Sequence, residues 1–179
     1  VPVRPGADAA LAMGAIRHLL QTSSFDDDFV RRWTNAPLLV DRASGQLLRA
    51  QDLWASAEAD AYVVSGANGL LRPYSTESAG ADADTALFAQ GQVADQHGQW
   101  RDYTSVLALL KAHGEPFTMQ RVSELTWVSE DKLDAFNALF MHAPKLAYHS
   151  WTGVGQHTNA TQTERAIATL YALTGACDK

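Results

Sequence analysis

Lys145-Leu146-Ala147-Tyr148-His149-Ser150-Trp151, followed by Thr152-Gly153-Val154-Gly155-Gln156-His157-Thr158 and then Asn159 through Gly175, is the stretch whose reading decides the fold. The first seven residues read as a buried strand centred on Leu146, Ala147 and Tyr148. The next seven read as a glycine loop. The remainder reads as a helix from Ala160 to about Thr174. Asn159 is the expected N-cap, and Gln162 three residues on gives a capping-box arrangement. Ile167, Leu170, Tyr171 and Thr174 recur at helical spacing as the inner face, and Gly175 ends the helix. A strand, a glycine turn and a helix form the repeating unit of a parallel α/β sheet, in which ligands sit at the carboxyl edge of the strands. Two glycines let a guest approach the main chain without a Cβ in the way. The helix start adds unpaired N–H groups and a partial positive charge that suit an anion. The Gly153-x-Gly155 spacing lacks the third glycine of a dinucleotide fingerprint, so a plain strand-to-helix turn accounts for it equally. Gln156 can donate and accept along a heterocycle edge, and His157 can donate to a phosphate or carbonyl. Both can also simply bond the loop's own backbone.

A second junction of the same kind lies at the other end. Val1-Pro2-Val3-Arg4 reads as the tail of a strand, Pro5-Gly6 as a turn, and Asp8 as the N-cap of a helix from about Ala9 to Gln21. That helix turns Leu11, Ala12, Ile16, Leu19 and Leu20 to one side. Asp8 serves as a cap, or its carboxylate accepts paired hydrogen bonds from a guanine edge. In a doubly wound chain the two turns fall side by side on one sheet edge. Between them, a short helix follows Ser24, burying Phe25, Val30 and Trp33, with Asp26, Asp27 and Asp28 at its positive end. Hairpins are expected over 38–48 and 61–72, a surface loop over 74–86, and another extended region at 87–100. Helices return at Ser105–His113, at Thr118–Leu125 and after Ser129, the last with Leu133, Phe136, Leu139 and Phe140 on one face. The expected architecture is α/β: a partial, doubly wound, mainly parallel sheet flanked by helices. Residues 1–179 make a single partial domain, and 37–115 form an irregular, hairpin-rich insertion in it.

Several function classes fall away. The 179 residues carry a net charge of −6 with no Lys/Arg stripe, which gives nucleic-acid binding no support. No apolar run approaches the roughly 18 residues of a membrane span, and residues 1–6 do not read as a signal peptide. A lone cysteine, Cys177, permits neither an internal disulfide nor a cysteine-based metal site. The six histidines form no His-x-x-x-His pair, and no Gly-x-Ser-x-Gly elbow is present. Asp26, Asp27 and Asp28 lack calcium-loop spacing. The chain begins and stops abruptly, as a piece cut from a longer protein would.

Taken in order, three stretches resemble the molybdopterin oxidoreductase family, which includes formate dehydrogenases and nitrate reductases. Val3-Arg4-Pro5-Gly6-Ala7-Asp8-Ala9-Ala10-Leu11 is similar to its strand end, Pro-Gly turn and following helix. Asp26-Asp27-Asp28-Phe29-Val30, with Thr34 shortly after, is similar to its Asp-x-x-Phe-Val segment. Trp151 to His157, with Arg165-Ala166-Ile167 and Leu170 to Gly175, is similar to its glycine–glutamine loop and Leu-Thr-Gly helix end. Where the family often has Met-Gly, this chain has Thr152-Gly153. The resemblance implies a fragment of the α/β domain that holds one nucleotide arm of a bis-pterin guanine dinucleotide cofactor carrying molybdenum or tungsten. It implies that Gly6, Ala7 and Asp8 approach a guanine end, and that Thr152, Gly153, Gln156 and His157 approach the pterin dinucleotide. No catalytic residue and no metal ligand is expected in this piece, and an iron–sulfur cluster would lie outside it. The partners would be the remaining domains of the parent enzyme, and the fragment alone would be inactive. The compartment stays open, with cytoplasm favoured over periplasm. Two other readings use the same residues: a nicotinamide-dinucleotide domain built on Gly153-x-Gly155, and a non-catalytic interaction domain in which both turns are structural.

Overall fold

A computed structural model describes residues 1–74, 84–142, 146–149 and 151–176. The chain divides into two compact units, one formed by 1–27 with 111–179 and the other by 28–110.

The first unit is helical. Helix α1 (Asp8–Thr22) buries Ala12, Met13, Ala15, Ile16, Leu19 and Leu20. Ile16, Leu19 and Leu20 are fully buried, and each removes enough apolar surface from water to contribute about 2 kcal/mol. The helix ends on Ser23 in the left-handed region, whose N–H bonds Leu19 O. The long C-terminal helix Ala160–Thr174 lies against α1 and contributes buried Thr163, Leu170 and Leu173. Two further helices close the unit, Met119–Thr126 and Glu130–His142. Thr118 caps the former, its hydroxyl accepting from Arg121 N at 3.2 Å. Val122, Val128 and Leu133 form a small core against Val3, Leu11, Phe117 and Met119. Trp127 ends the Met119–Thr126 helix at φ 61, a conformation that disfavours a side chain. Its ring is 73% exposed and lies under the Arg4 guanidinium, 4.9 Å from the centroid.

The second unit holds the strands. Helix α2 (Asp27–Trp33) leads into β1 (Leu39–Asp41), the short helix α3 (Ala50–Leu53), β2 (Tyr62–Ser65), β3 (Leu71–Tyr74), β4 (Gln90–Ala94), β5 (Trp100–Ser105) and helix α4 (Val106–Gly114). After α4 the chain returns to the helical unit, where α5 is Met119–Thr126, α6 is Glu130–His142, α7 is Thr152–Gly155 and α8 is Ala160–Thr174. Strands β1, β5 and β4 form a three-stranded sheet in that order, and β2 pairs with β3. Leu39 faces Ser105, Gln90 faces Thr104, and Tyr62 faces Tyr74. Leu39, Leu48, Ala50, Leu53, Ala61, Val63, Ala89 and Tyr103 make the core. A charged node closes one end. Arg101 Nη1 reaches Asp41 Oδ2 at 3.2 Å, and Arg101 Nε and Nη2 both reach Asp95 Oδ2 at 3.1 Å.

Several expectations need correction. Every described strand pair is antiparallel, so the doubly wound parallel sheet is not what these residues form. The chain is α/β in the coarser sense of helices with small sheets. Leu146 to His149 form no strand: Ala147, Tyr148 and His149 are exposed, and no described strand stands beside them to satisfy their main-chain groups. Lys145 and Ser150 lie outside the described residues. Val1 to Arg4 are likewise irregular, although Arg4 N bonds Thr126 O at 2.9 Å. The N-cap of α1 is Ala7, not Asp8, and neither Ala7 nor Asn159 makes a side-chain cap bond. Thr152 to Gly155 form a single helical turn rather than an open loop. Trp33 is 71% exposed rather than buried. The hairpin over 38–48 forms: Val40 bridges Leu47, Asp41 N donates to Gln46 O at 2.9 Å and Leu48 N to Leu39 O at 2.8 Å, and β1 also pairs with β5. The hairpin over 61–72 forms as β2 and β3. The loop expected over 74–86 falls largely outside the described residues.

Candidate functional site

The first turn is built by main-chain bonds. Ala7 N donates to Arg4 O at 3.0 Å, and Ala10 N and Leu11 N both donate to Ala7 O. Gly6 sits at φ 81 between them, in a region that glycine enters without the Cβ penalty other residues meet. Asp8 follows as the first residue of α1, near the positive end of the helix dipole. The second turn follows the same logic. Gln156 N donates to Gly153 O at 3.3 Å, and Ala160 N to His157 O at 3.0 Å, which turns the chain from α7 into α8.

These two turns meet. A Cβ built on Gly6 would stand 3.7 Å from His157 Nδ1. Gly6, Ala7 and Asp8 are half-buried, whereas Thr152, Gly153, Gln156 and His157 are exposed. The described contact between the turns therefore runs through Gly6 and His157. Thr152, Gly153 and Gln156 stand on the exposed turn of α7, with open space around both Gly153 and Gly155.

A cavity of about 270 Å³ opens beside the first turn. Asp8 is its one carboxylate among the described residues, and Phe136, Phe140, Leu146, Ile167 and Tyr171 supply much of an otherwise apolar wall. The rings of Tyr148 and Tyr171 meet there at a tilt of 50°, with centroids 5.8 Å apart. Burial, and to a lesser degree the neighbouring Tyr148, pushes the Tyr171 phenol up, so it stays a neutral donor. An apolar recess with one acid and two phenols takes a flat, partly polar ring, and the acid accepts from N–H groups on its edge.

The Phe136-Leu139-Phe140 and Ile167-Leu170-Tyr171 stripes are both legible as helix faces in the sequence. What the pattern does not disclose is that they line a recess instead of closing on each other. Leu139 stays exposed as a result. Nor does spacing disclose the Arg4–Trp127 stack, which depends on the left-handed end of α5. Among the described residues, no group of three or more His, Cys, Asp or Glu side chains is placed to hold a metal. No described helix is long and apolar enough to cross a membrane. Cys177 lies outside the described residues.

No family model matches the chain. Individual relatives do. The alpha chain of the dimethylsulfide dehydrogenase of Rhodovulum sulfidophilum is 25% identical over 98% of this chain and 20% of its own length. A putative dimethyl sulfoxide reductase catalytic subunit of Halobacterium salinarum is 28% identical over 98% of this chain and 20% of its own length. A tetrathionate reductase subunit of Salmonella typhimurium is 30% identical over 86% of this chain and 16% of its own length. The chain thus spans about a fifth of the curated relatives it matches. Formate dehydrogenase and respiratory nitrate reductase subunits match over a similar range. With nearly its whole length aligned to catalytic subunits of this one kind, the chain is recognised as a relative of the molybdopterin oxidoreductases, the family its two end turns resemble.

Proposed function

We propose that this chain forms one wall of the site that holds a pterin guanine dinucleotide, within a molybdenum- or tungsten-dependent oxidoreductase. The observation that carries the reading is the contact of the Gly6 turn with His157, beside an apolar recess with Asp8 at its edge. The residues present fit the nucleotide end of such a group. Gly6 keeps the turn free of a side chain. Asp8 offers two acceptor oxygens to the N1–H and N2–H donors of guanine, a charge-assisted pairing. Ring stacking against Tyr148 and Phe140 would bury the base's faces. His157 can donate to a phosphate or carbonyl beyond Gly6, and the open main chain at Gly153, with Thr152 and Gln156 on the same turn, can follow the guest toward its pterin end. When bound, the metal–pterin group supplies the redox chemistry; this chain's residues bind it, orient it and keep water from the base.

Asp8→Asn tests the assignment. The amide retains one acceptor, loses the charge and turns a donor toward guanine's own donors. A hydrogen bond to a charged group contributes about 1.5–3 kcal/mol, so retention of the nucleotide is expected to weaken by roughly tenfold or more. The measurement is the guanine nucleotide, and the molybdenum or tungsten, released per polypeptide from the full-length protein that carries this chain. An unchanged ratio removes Asp8 from the site. Release of a nicotinamide dinucleotide in place of guanine and pterin favours the nicotinamide reading. The chain alone is proposed to be inactive, because it corresponds to only about a fifth of its relatives. Redox turnover by residues 1–179 alone would contradict that.

A further inference from the structure

Trp127 is an unfavourable residue for its place. It ends α5 at φ 61, where a glycine would do the same without the strain a Cβ brings. The conformation is held from both sides. Thr126 and Val128 are buried, Trp127 N donates to Ser123 O at 2.9 Å, and Thr126 O accepts from Arg4 N at 2.9 Å. The side chain recovers little by burial, since Trp127 is mostly exposed. A bulky residue kept at such a φ points to a use for its side chain. What the ring does meet is the Arg4 guanidinium. A cation–π pair this exposed contributes no more than the strain beneath it costs. Stability alone therefore gives the ring no purpose.

The pair leaves a restrained cation with no acid to neutralise. Among the described residues no carboxylate is paired with Arg4. Glu124, one turn back on α5, is engaged by Arg121 at 3.2 Å. A guanidinium over a ring keeps the N–H fork on its edge, which fits two oxygens of a phosphate. Arg4 also belongs to the first turn. Its carbonyl accepts from Ala7 N at 3.0 Å, and Gly6, two residues on, meets His157. A guanine dinucleotide arm that reaches Asp8 brings its diphosphate to this turn, adding negative charge beside a carboxylate. Such a guest needs a cation close by. We infer that Arg4, held in place by Trp127, binds the diphosphate of the nucleotide arm, an assignment that rests on the pterin guanine dinucleotide reading. Arg4 is then the ligand contact and Trp127 a positioning residue.

The test uses the full-length protein that carries this chain and reads the guanine nucleotide released per polypeptide. Arg4→Gln is expected to weaken retention by about tenfold, the loss of a charge-assisted contact. Trp127→Gly should weaken it severalfold, and Trp127→Phe, which keeps a ring under the guanidinium, should weaken it least. The same variants made in cells unable to synthesise the pterin give the second reading. There Trp127→Gly should unfold at no lower temperature than the unaltered protein, because the strained φ is relieved. A ring with a merely structural role would lower both readings together. Full retention in both Arg4→Gln and Trp127→Gly, with nucleotide present in the unaltered protein, overturns the Arg4 assignment and leaves the cofactor reading standing. Absence of guanine nucleotide from the unaltered protein overturns both. If Arg4→Gln does not fold, a crystal structure of the loaded protein decides: Arg4 on a phosphate oxygen supports the assignment, and Arg4 on a carboxylate of another domain, or on no anion, overturns it.

Discussion

Gly175→Ala is expected to destabilise the helical unit by about 3 kcal/mol. Gly175 ends α8 at φ 59. There Gly175 N bonds Ala172 O at 3.4 Å and Ala176 N bonds Tyr171 O at 3.1 Å, the doubled bonding of a left-handed helix stop. Any side chain at that φ costs about 1–2 kcal/mol. The position is also filled from outside. A Cβ would run into the Asp26 carboxylate and stand 3.0 Å from the Asp26 Cβ. Asp26 is itself tied to α8, its N–H donating to Leu173 O at 2.8 Å. Relief would need movement of a main-chain segment, and overpacking of that kind adds roughly 1–3 kcal/mol. Denaturant unfolding followed by hydrogen exchange in peptides from α1 and α8 reads the loss. Combining the change with Asp26→Ala should recover the part owed to the carboxylate and leave the parts owed to the Cβ contact and the backbone. A loss under about 1 kcal/mol in the single variant would show that the turn tolerates a side chain.

Gly175 also shows what the sequence makes legible. Its place just past Ile167, Leu170, Tyr171 and Thr174 marks a helix end from spacing alone, and α8 runs Ala160–Thr174 as that spacing predicts. The helices starting near Asp8, after Thr118 and after Ser129 are legible for the same reason: period and caps are local. Strand pairing is only partly local. Leu38-Leu39-Val40 and Gln46-Leu47-Leu48 are legible as partners because they are near in sequence, and Val40 does bridge Leu47; that β1 also pairs with β5, some sixty residues on, is not legible. Leu146 to Tyr148 look like a strand because they are apolar, but a strand exists only where a neighbour takes up its N–H and C=O groups. For the candidate site, chemistry is legible and distance is not. Glycines before helices mark Gly6 and Gly153 as places a guest can approach. That Gly6 faces His157 across more than a hundred and fifty residues is a property of how α1 lies on α8.

Arg101→Met is expected to cost the strand-bearing unit about 3 kcal/mol at neutral pH, and the loss should shrink as the solution is acidified. Arg101 is one-third exposed, but the carboxylates it joins are not: the side chains of Asp41 and Asp95 are 8% and 1% exposed. Burial alone would raise the Asp41 carboxyl. The main-chain N–H groups of Ala43 and Ser44, the Ser44 hydroxyl and Arg101 outweigh it and hold that carboxyl below its usual range. The Gln99 N–H leads in lowering Asp95, working against burial, with the His97 N–H and Arg101 adding to it. Removing the cation leaves two buried negative charges without their shared counter-charge, and breaking a buried pair costs roughly 3–5 kcal/mol. Partial exposure of Arg101 places the expected loss at the lower end. Both acids titrate lower folded than unfolded, so the stability they contribute is fully present above about pH 4 and is lost as pH falls through the lowered folded values. At that acidity neither carboxyl is charged, Arg101 has nothing to neutralise, and the two proteins should converge. Asp95→Asn provides the counterpart. It keeps the oxygen that accepts from His97 N and Gln99 N, both at 2.9 Å, and removes one of the two charges, so added to the Arg101→Met variant it should restore part of the lost stability at pH 7, with Asp41 still uncompensated. A pH-independent gap between Arg101→Met and the unaltered chain would mean that the arginine acts through packing of its stem and not through its charge.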